Sequence, residues 1–142
     1  MGGVLRFLVL ALPVALLILA LAPVAAELVR AGVDDAPLAA RGIARPLPLD
    51  ATTRTLALVF EAFALVALYL LVEGRTASRL VDGVVAGFAA WIFRGPLLVL
   101  TVSALTRLPL APFWQTARIA LVALPLAGAA IGLVARWARP AR

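Results

Sequence analysis

Glu61 and Arg94 are the ionisable residues set deepest in the apolar stretches of this 142-residue chain. A carboxylate and a guanidinium form a charge-assisted pair, because the planar guanidinium fork matches the two carboxylate oxygens. Held away from water, such a pair can cement helices, bind an ion or polar ligand, or relay a proton. Other chemistry has little to work with. The chain has neither cysteine nor histidine, which excludes disulfides and thiol nucleophiles and the usual haem, copper and zinc sites. Ser78 and Ser103 lack a general base nearby in sequence, and no Ser, Thr or Asp cluster has nucleophile–base spacing. Catalytic residues, metal ligands and cofactors are therefore not expected, and the chain does not read as an enzyme.

The medium around these two charges follows from composition. Apolar residues make up 65% of the chain and charged residues 14%, against about half and a quarter in a soluble domain. Mean hydropathy is +1.11. A chain this short cannot hide that much apolar surface from water in one core, whereas lipid as solvent removes the difficulty. The net charge is +6 and all thirteen cations are arginine, a choice that a GC-rich coding sequence explains. In a soluble protein this charge would suggest nucleic acid. Here the cations stand at the ends of apolar segments, as in membrane proteins, so nucleic acid is not an expected partner and the lipid bilayer is.

The elements that must position the pair are helices. The expected fold is all-α: a polytopic integral membrane bundle of four transmembrane helices in a single domain. The spans are expected at residues 4–29, 55–72, 80–105 and 115–135, each near the ~20 residues that cross a ~30 Å hydrocarbon core. Pro13, Pro23 and Pro125 fall inside spans, where membrane helices tolerate them. The first segment also has signal-like features: Arg6 before an apolar run, and the small residues Val24-Ala25-Ala26. It is expected to be retained as a span. Residues 30–54 form an extramembrane loop containing Pro37, Pro46 and Pro48. Asp50 or Thr52 is expected to cap the helix that follows. The links 73–79 and 106–114 are short, which forces antiparallel neighbours. No internal or inverted repeat is visible.

A mirror argument relates the two charges. The turn between the second and third spans centres on Ala77; Glu61 lies sixteen residues before it and Arg94 seventeen after. At ~1.5 Å of rise per residue, both sit at nearly one level, roughly mid-bilayer. An unpaired charge there costs at least ~2.5–3.5 kcal/mol, so an ion pair or a water-bridged pair is expected. Stepping 100° per residue places Gly83, Gly87, Ala90, Arg94 and Thr101 on one stripe, which predicts that Arg94 turns into a protein interface. Beside it, Gly95-Pro96 is expected to break the helix, because Pro96 cannot donate to the carbonyl of Ile92. Three readings of the pair stand side by side: a structural or assembly pair, a site for an ion, proton or polar ligand, and a pair completed by another subunit.

The remaining charges read as structural. Glu27 is expected at the interface reaching water. Asp82 lies in the first turn of the third span, where a helix N-terminus favours a carboxylate. Glu73, beside Arg75, reads as a solvated loop charge. Two GxxxG patterns, Gly83–Gly87 and Gly128–Gly132, permit close helix packing without saying whether the partner helix belongs to this chain or another. Trp114 with Phe113, and Trp137, bracket the fourth span as interfacial anchors. Arg6, Arg75, Arg79, Arg136, Arg139 and Arg142 fall on one side, against Arg30, Arg41, Arg45, Arg54 and Arg107 on the other, with Arg118 near the boundary. The compact basic tail places both termini in the cytoplasm, of a bacterial cytoplasmic membrane. The functional expectation is a small non-catalytic membrane protein acting as an accessory or assembly subunit of a larger complex. The alternative is a homo-oligomeric transporter or channel using the Glu61/Arg94 site. Other membrane subunits, or further copies of the chain, are the expected partners.

Overall fold

Long apolar stretches without polar interruption satisfy their backbone groups internally only as helices, and every long element among the described residues is one. The computed structural model describes residues 2–30, 51–105 and 110–138. Among these there are helices and no strand. We number them α1 (Gly2–Arg30), α2 (Ala51–Val72), α3 (Arg79–Ile92), α4 (Leu98–Leu105) and α5 (Ala111–Ala138). A π turn, Phe93–Leu97, joins α3 to α4. Four stretches are long and apolar enough to cross a membrane: Gly3–Ala25, Thr55–Val72, Arg79–Leu105 and Phe113–Ala138. This is the pattern of a multi-pass membrane protein. The last stretch runs to Ala138, beyond the expected end at 135. α2 begins at Ala51, which puts Thr52 inside its first turn and not at the cap. Arg30 and residues 51–54 of the expected 30–54 loop are helical; Asp50 and the rest of residues 31–50 lie outside the described residues, as do Arg107, Arg139 and Arg142. The surroundings of the Glu27 side chain are likewise outside the description.

Helical spacing decides which face of each helix is covered. On α1 the buried residues recur every fourth position, at Phe7, Ala11, Ala15 and Leu19, as one helix face requires. The helix runs through Pro13 and Pro23 without ending. That face joins Leu65, Tyr69, Leu124 and Ile131 in one apolar core. The Phe7 and Tyr69 rings meet with centroids 5.6 Å apart, tying the start of α1 to the end of α2. The first segment is thus built into the bundle by its own packing face.

The closest approach in the bundle is between α3 and α5. Gly83 and Gly87 face Gly128, Leu124 and Pro125, while Gly132 faces the backbone of Arg79 and Leu80. A Cβ on Gly83 would run into the Gly128 carbonyl oxygen, and a Cβ on Gly128 into that of Gly83. The two GxxxG patterns therefore meet each other within one chain. The sequence leaves that choice open; the structure makes it. Close backbone contact of this kind maximises van der Waals packing, which drives helix association where lipid is as apolar as leucine. Large apolar side chains cover the outside, among them Phe60, Leu71 and Val122. Trp114 and Trp137 are exposed near opposite ends of α5, where interfacial anchors would stand.

Candidate functional site

The hairpin that carries Glu61 and Arg94 is organised from its turn. Gly74 has φ +83°, a left-handed conformation that a Cβ disfavours. The N–H of Glu73 donates to the Tyr69 carbonyl (2.8 Å), and the N–H of Arg75 to that of Val72 (3.0 Å), closing the end of α2. Ser78, in extended backbone, caps α3, and its hydroxyl accepts from the Val81 N–H at 3.3 Å. Asp82 then clamps the turn. Its carboxylate accepts from the N–H of Gly74 (2.8 Å) and of Thr76 (3.0 Å). It is the buried charged side chain among the described residues, 1% exposed. The sequence places Asp82 in the first helical turn; what it does not show is that the carboxylate folds back over the preceding loop. An Asp four residues after a helix-capping Ser and behind a Gly-containing turn is the only hint.

Asp82 thereby ties together the turn of the hairpin that carries Glu61 and Arg94. Asp82→Ala leaves two backbone donors without their acceptor, at about 1–3 kcal/mol of destabilisation. The measurable result is loss of hydrogen-exchange protection at the amides of Gly74 and Thr76, with Asp82→Asn losing less. Unchanged protection in Asp82→Ala would show that the clamp does not hold the turn.

A second tie closes this end of the bundle. The Arg79 guanidinium donates to the Ala135 carbonyl at 2.9 Å. That carbonyl lies in the last turn of α5, where helix carbonyls lack intrahelical partners. In sequence Arg79 counts only as a topology charge.

Deeper in the hairpin, Arg94 Nη1 and Glu61 Oε2 make an ion pair. The structure brings the two together from α2 and the π turn. Glu61 is largely enclosed, with 14% of its side chain exposed, while Arg94 keeps 44% exposed. This corrects one expectation. Gly83 and Gly87 are buried against α5, but Arg94 is half open on the flank of the bundle and Thr101 is exposed. The predicted single stripe does not hold, because the π turn is wider than an α turn and upsets the 100° step.

The same turn revises the expected helix break. Pro96 has no N–H for the Ile92 carbonyl. Phe93–Leu97 forms a π turn, and i→i+5 geometry bypasses the donor missing at Pro96, so the chain widens instead of breaking. Gly95 is buried, and a Cβ there would meet Trp91 Nε1 at 2.9 Å and the Ala117 Cβ at 3.2 Å. It makes room for the Trp91 indole, whose Nε1–H donates to the Ala117 carbonyl at 2.9 Å. Trp91 thus anchors the site to α5, a role invisible in sequence because its partner is a backbone atom 26 residues away. The hydroxyls nearby are engaged locally: Thr101 donates to the Leu97 carbonyl and Ser103 to that of Leu100. Among the described residues no group of three His, Cys, Asp or Glu side chains could hold a metal ion.

The arrangement is therefore a salt-bridged pair, enclosed on the carboxylate side and open on the guanidinium side, beside a widened helical turn. Compared with protein-family models, curated proteins and solved structures, the chain matches none.

Proposed function

We propose that this chain is a non-catalytic multi-pass membrane protein that serves as an accessory or assembly subunit of a larger membrane complex. We place it in a bacterial cytoplasmic membrane with both termini on the cytoplasmic side. The observation that carries this reading is the sideways opening of Arg94. Glu61 is six residues inside Thr55 and eleven from Val72, roughly 9 and 16 Å from the two ends of its span. Its partner lies at the same level, with 44% of the side chain uncovered. A guanidinium carries five N–H donors, and one carboxylate satisfies two at most. Hydrocarbon offers none of the missing acceptors, and a charge in it costs at least ~2.5–3.5 kcal/mol. A neighbouring protein that covers this flank removes the cost. The large exposed apolar surface and the small extramembrane portion suit the same role.

A second reading, a homo-oligomeric transporter or channel, draws on the π turn and Pro96 beside a charged residue. Such irregular helices recur at functional sites. It requires an oligomer, because the core of one copy is filled by Phe7, Leu65, Tyr69, Leu124 and Ile131. Native electrophoresis of a mild-detergent extract separates the readings. Comigration with other polypeptides, with or without a second copy of this chain, supports the subunit, and a homomer free of other polypeptides supports transport. A stable monomer contradicts both.

A further inference from the structure

The uncovered guanidinium also points to what covers it. We propose that the flank around Arg94 and Glu61 docks a second copy of this chain, with each Arg94 reaching the other copy's Glu61. The proposal rests on the same intramembrane placement of the pair as the functional reading above, and deepens it by naming the first neighbour.

Charge balance selects a second copy over a neighbour that brings a lone carboxylate. The Glu61–Arg94 pair is neutral. A foreign helix offering one carboxylate would satisfy the guanidinium but leave a net negative charge in a medium that penalises it. A second copy brings one acid and one base. The resulting quartet is neutral, each guanidinium reaching the part of the other copy's Glu61 side chain, 14%, that stays uncovered. Depth also matches without adjustment. A twofold axis along the membrane normal keeps each residue level with its copy, and Glu61 and Arg94 already share a level. The contact is then isologous, the same patch used twice. Close approach is open to it as well. Ala57 and Ala64, one turn on either side of Glu61, are both exposed, and small side chains let a second helix come near.

The chain has no cysteine, so an introduced one reports without background. Ala64→Cys on α2 is treated in native membranes with a short bis-maleimide, alongside Leu126→Cys, which is exposed on α5. The expected result is a crosslinked dimer of this chain at position 64, severalfold above that at 126 and lost in Arg94→Gln. A charge-swapped chain, Glu61→Arg with Arg94→Glu, retains the pair within each copy. Swapped copies should crosslink to one another, whereas swapped and native copies coexpressed should not, because like charges then meet across the interface. Mixed dimers at the native level would overturn the proposal even if both homodimers form. Crosslinking at position 64 to a different polypeptide would also overturn it, while leaving the subunit reading intact. A native-extract monomer with no crosslink at either position would remove both.

Discussion

Gly128→Val leaves little folded bundle. A Cβ at this position meets the Gly83 carbonyl oxygen, with the Gly83 carbonyl carbon at 2.9 Å and the Gly87 nitrogen at 3.1 Å. All three are backbone atoms, which cannot rotate aside as a side chain would. Relief requires moving α3 away from α5. That movement also strains the Arg79–Ala135 and Trp91–Ala117 hydrogen bonds, because both span the same two helices. Overpacking a tight interior costs about 1–3 kcal/mol and occasionally more, and backbone-on-backbone contact puts this case at the top of that range or beyond. The check is the unfolding midpoint in a mild detergent, followed by helical circular dichroism. Leu126→Val, on the exposed side of α5, should leave the midpoint near the native value. A native midpoint for Gly128→Val would mean that α3 and α5 do not pack on their glycines.

Arg94→Gln is the second large effect. It leaves the Glu61 carboxylate, 14% exposed, without its cation. Removing one partner of a buried pair costs about 3–5 kcal/mol, and the partial exposure of Arg94 points to the lower end. Glu61→Gln should cost less, since the long arginine stem can carry its head toward a more polar level. Both variants should accumulate less in the membrane and unfold at lower denaturing-detergent fractions, with Arg94→Gln the worse. The reverse order would show that Arg94 is held at depth by something other than Glu61.

How much of this is legible in the sequence depends on how far apart the interacting groups stand along the chain. Spans follow from runs of apolar residues, a local property, and the described helices fall close to the expected limits. The level shared by Glu61 and Arg94 follows from counting outward from Ala77, because a tight turn forces antiparallel helices. The GxxxG glycines were visible as packing residues, but pairing them with each other needed the tertiary arrangement. Three features were out of reach. The π turn depends on how the backbone resolves the donor missing at Pro96: a break and a widened turn share one sequence. The Asp82 clamp uses loop N–H groups that every residue but proline has, so the Ser78–Asp82 spacing behind Gly74 is the only trace of it in sequence. The Arg79 and Trp91 contacts end on carbonyls of Ala135 and Ala117, which nothing in an alanine marks as acceptors. The half-open state of Arg94 also escapes periodicity, because a 100° step holds only for an undisturbed α-helix and Arg94 lies in the turn that widens.

Everything said of function depends on Glu61 and Arg94 stabilising each other within the apolar interior. A thermodynamic cycle of Glu61→Gln, Arg94→Gln and the double variant measures this directly, from unfolding free energies in one detergent system. The account predicts that the double variant is less harmful than the sum of the single changes, with a coupling of about 0.5–3 kcal/mol, as for contacting residues. Single effects that add within error would contradict it.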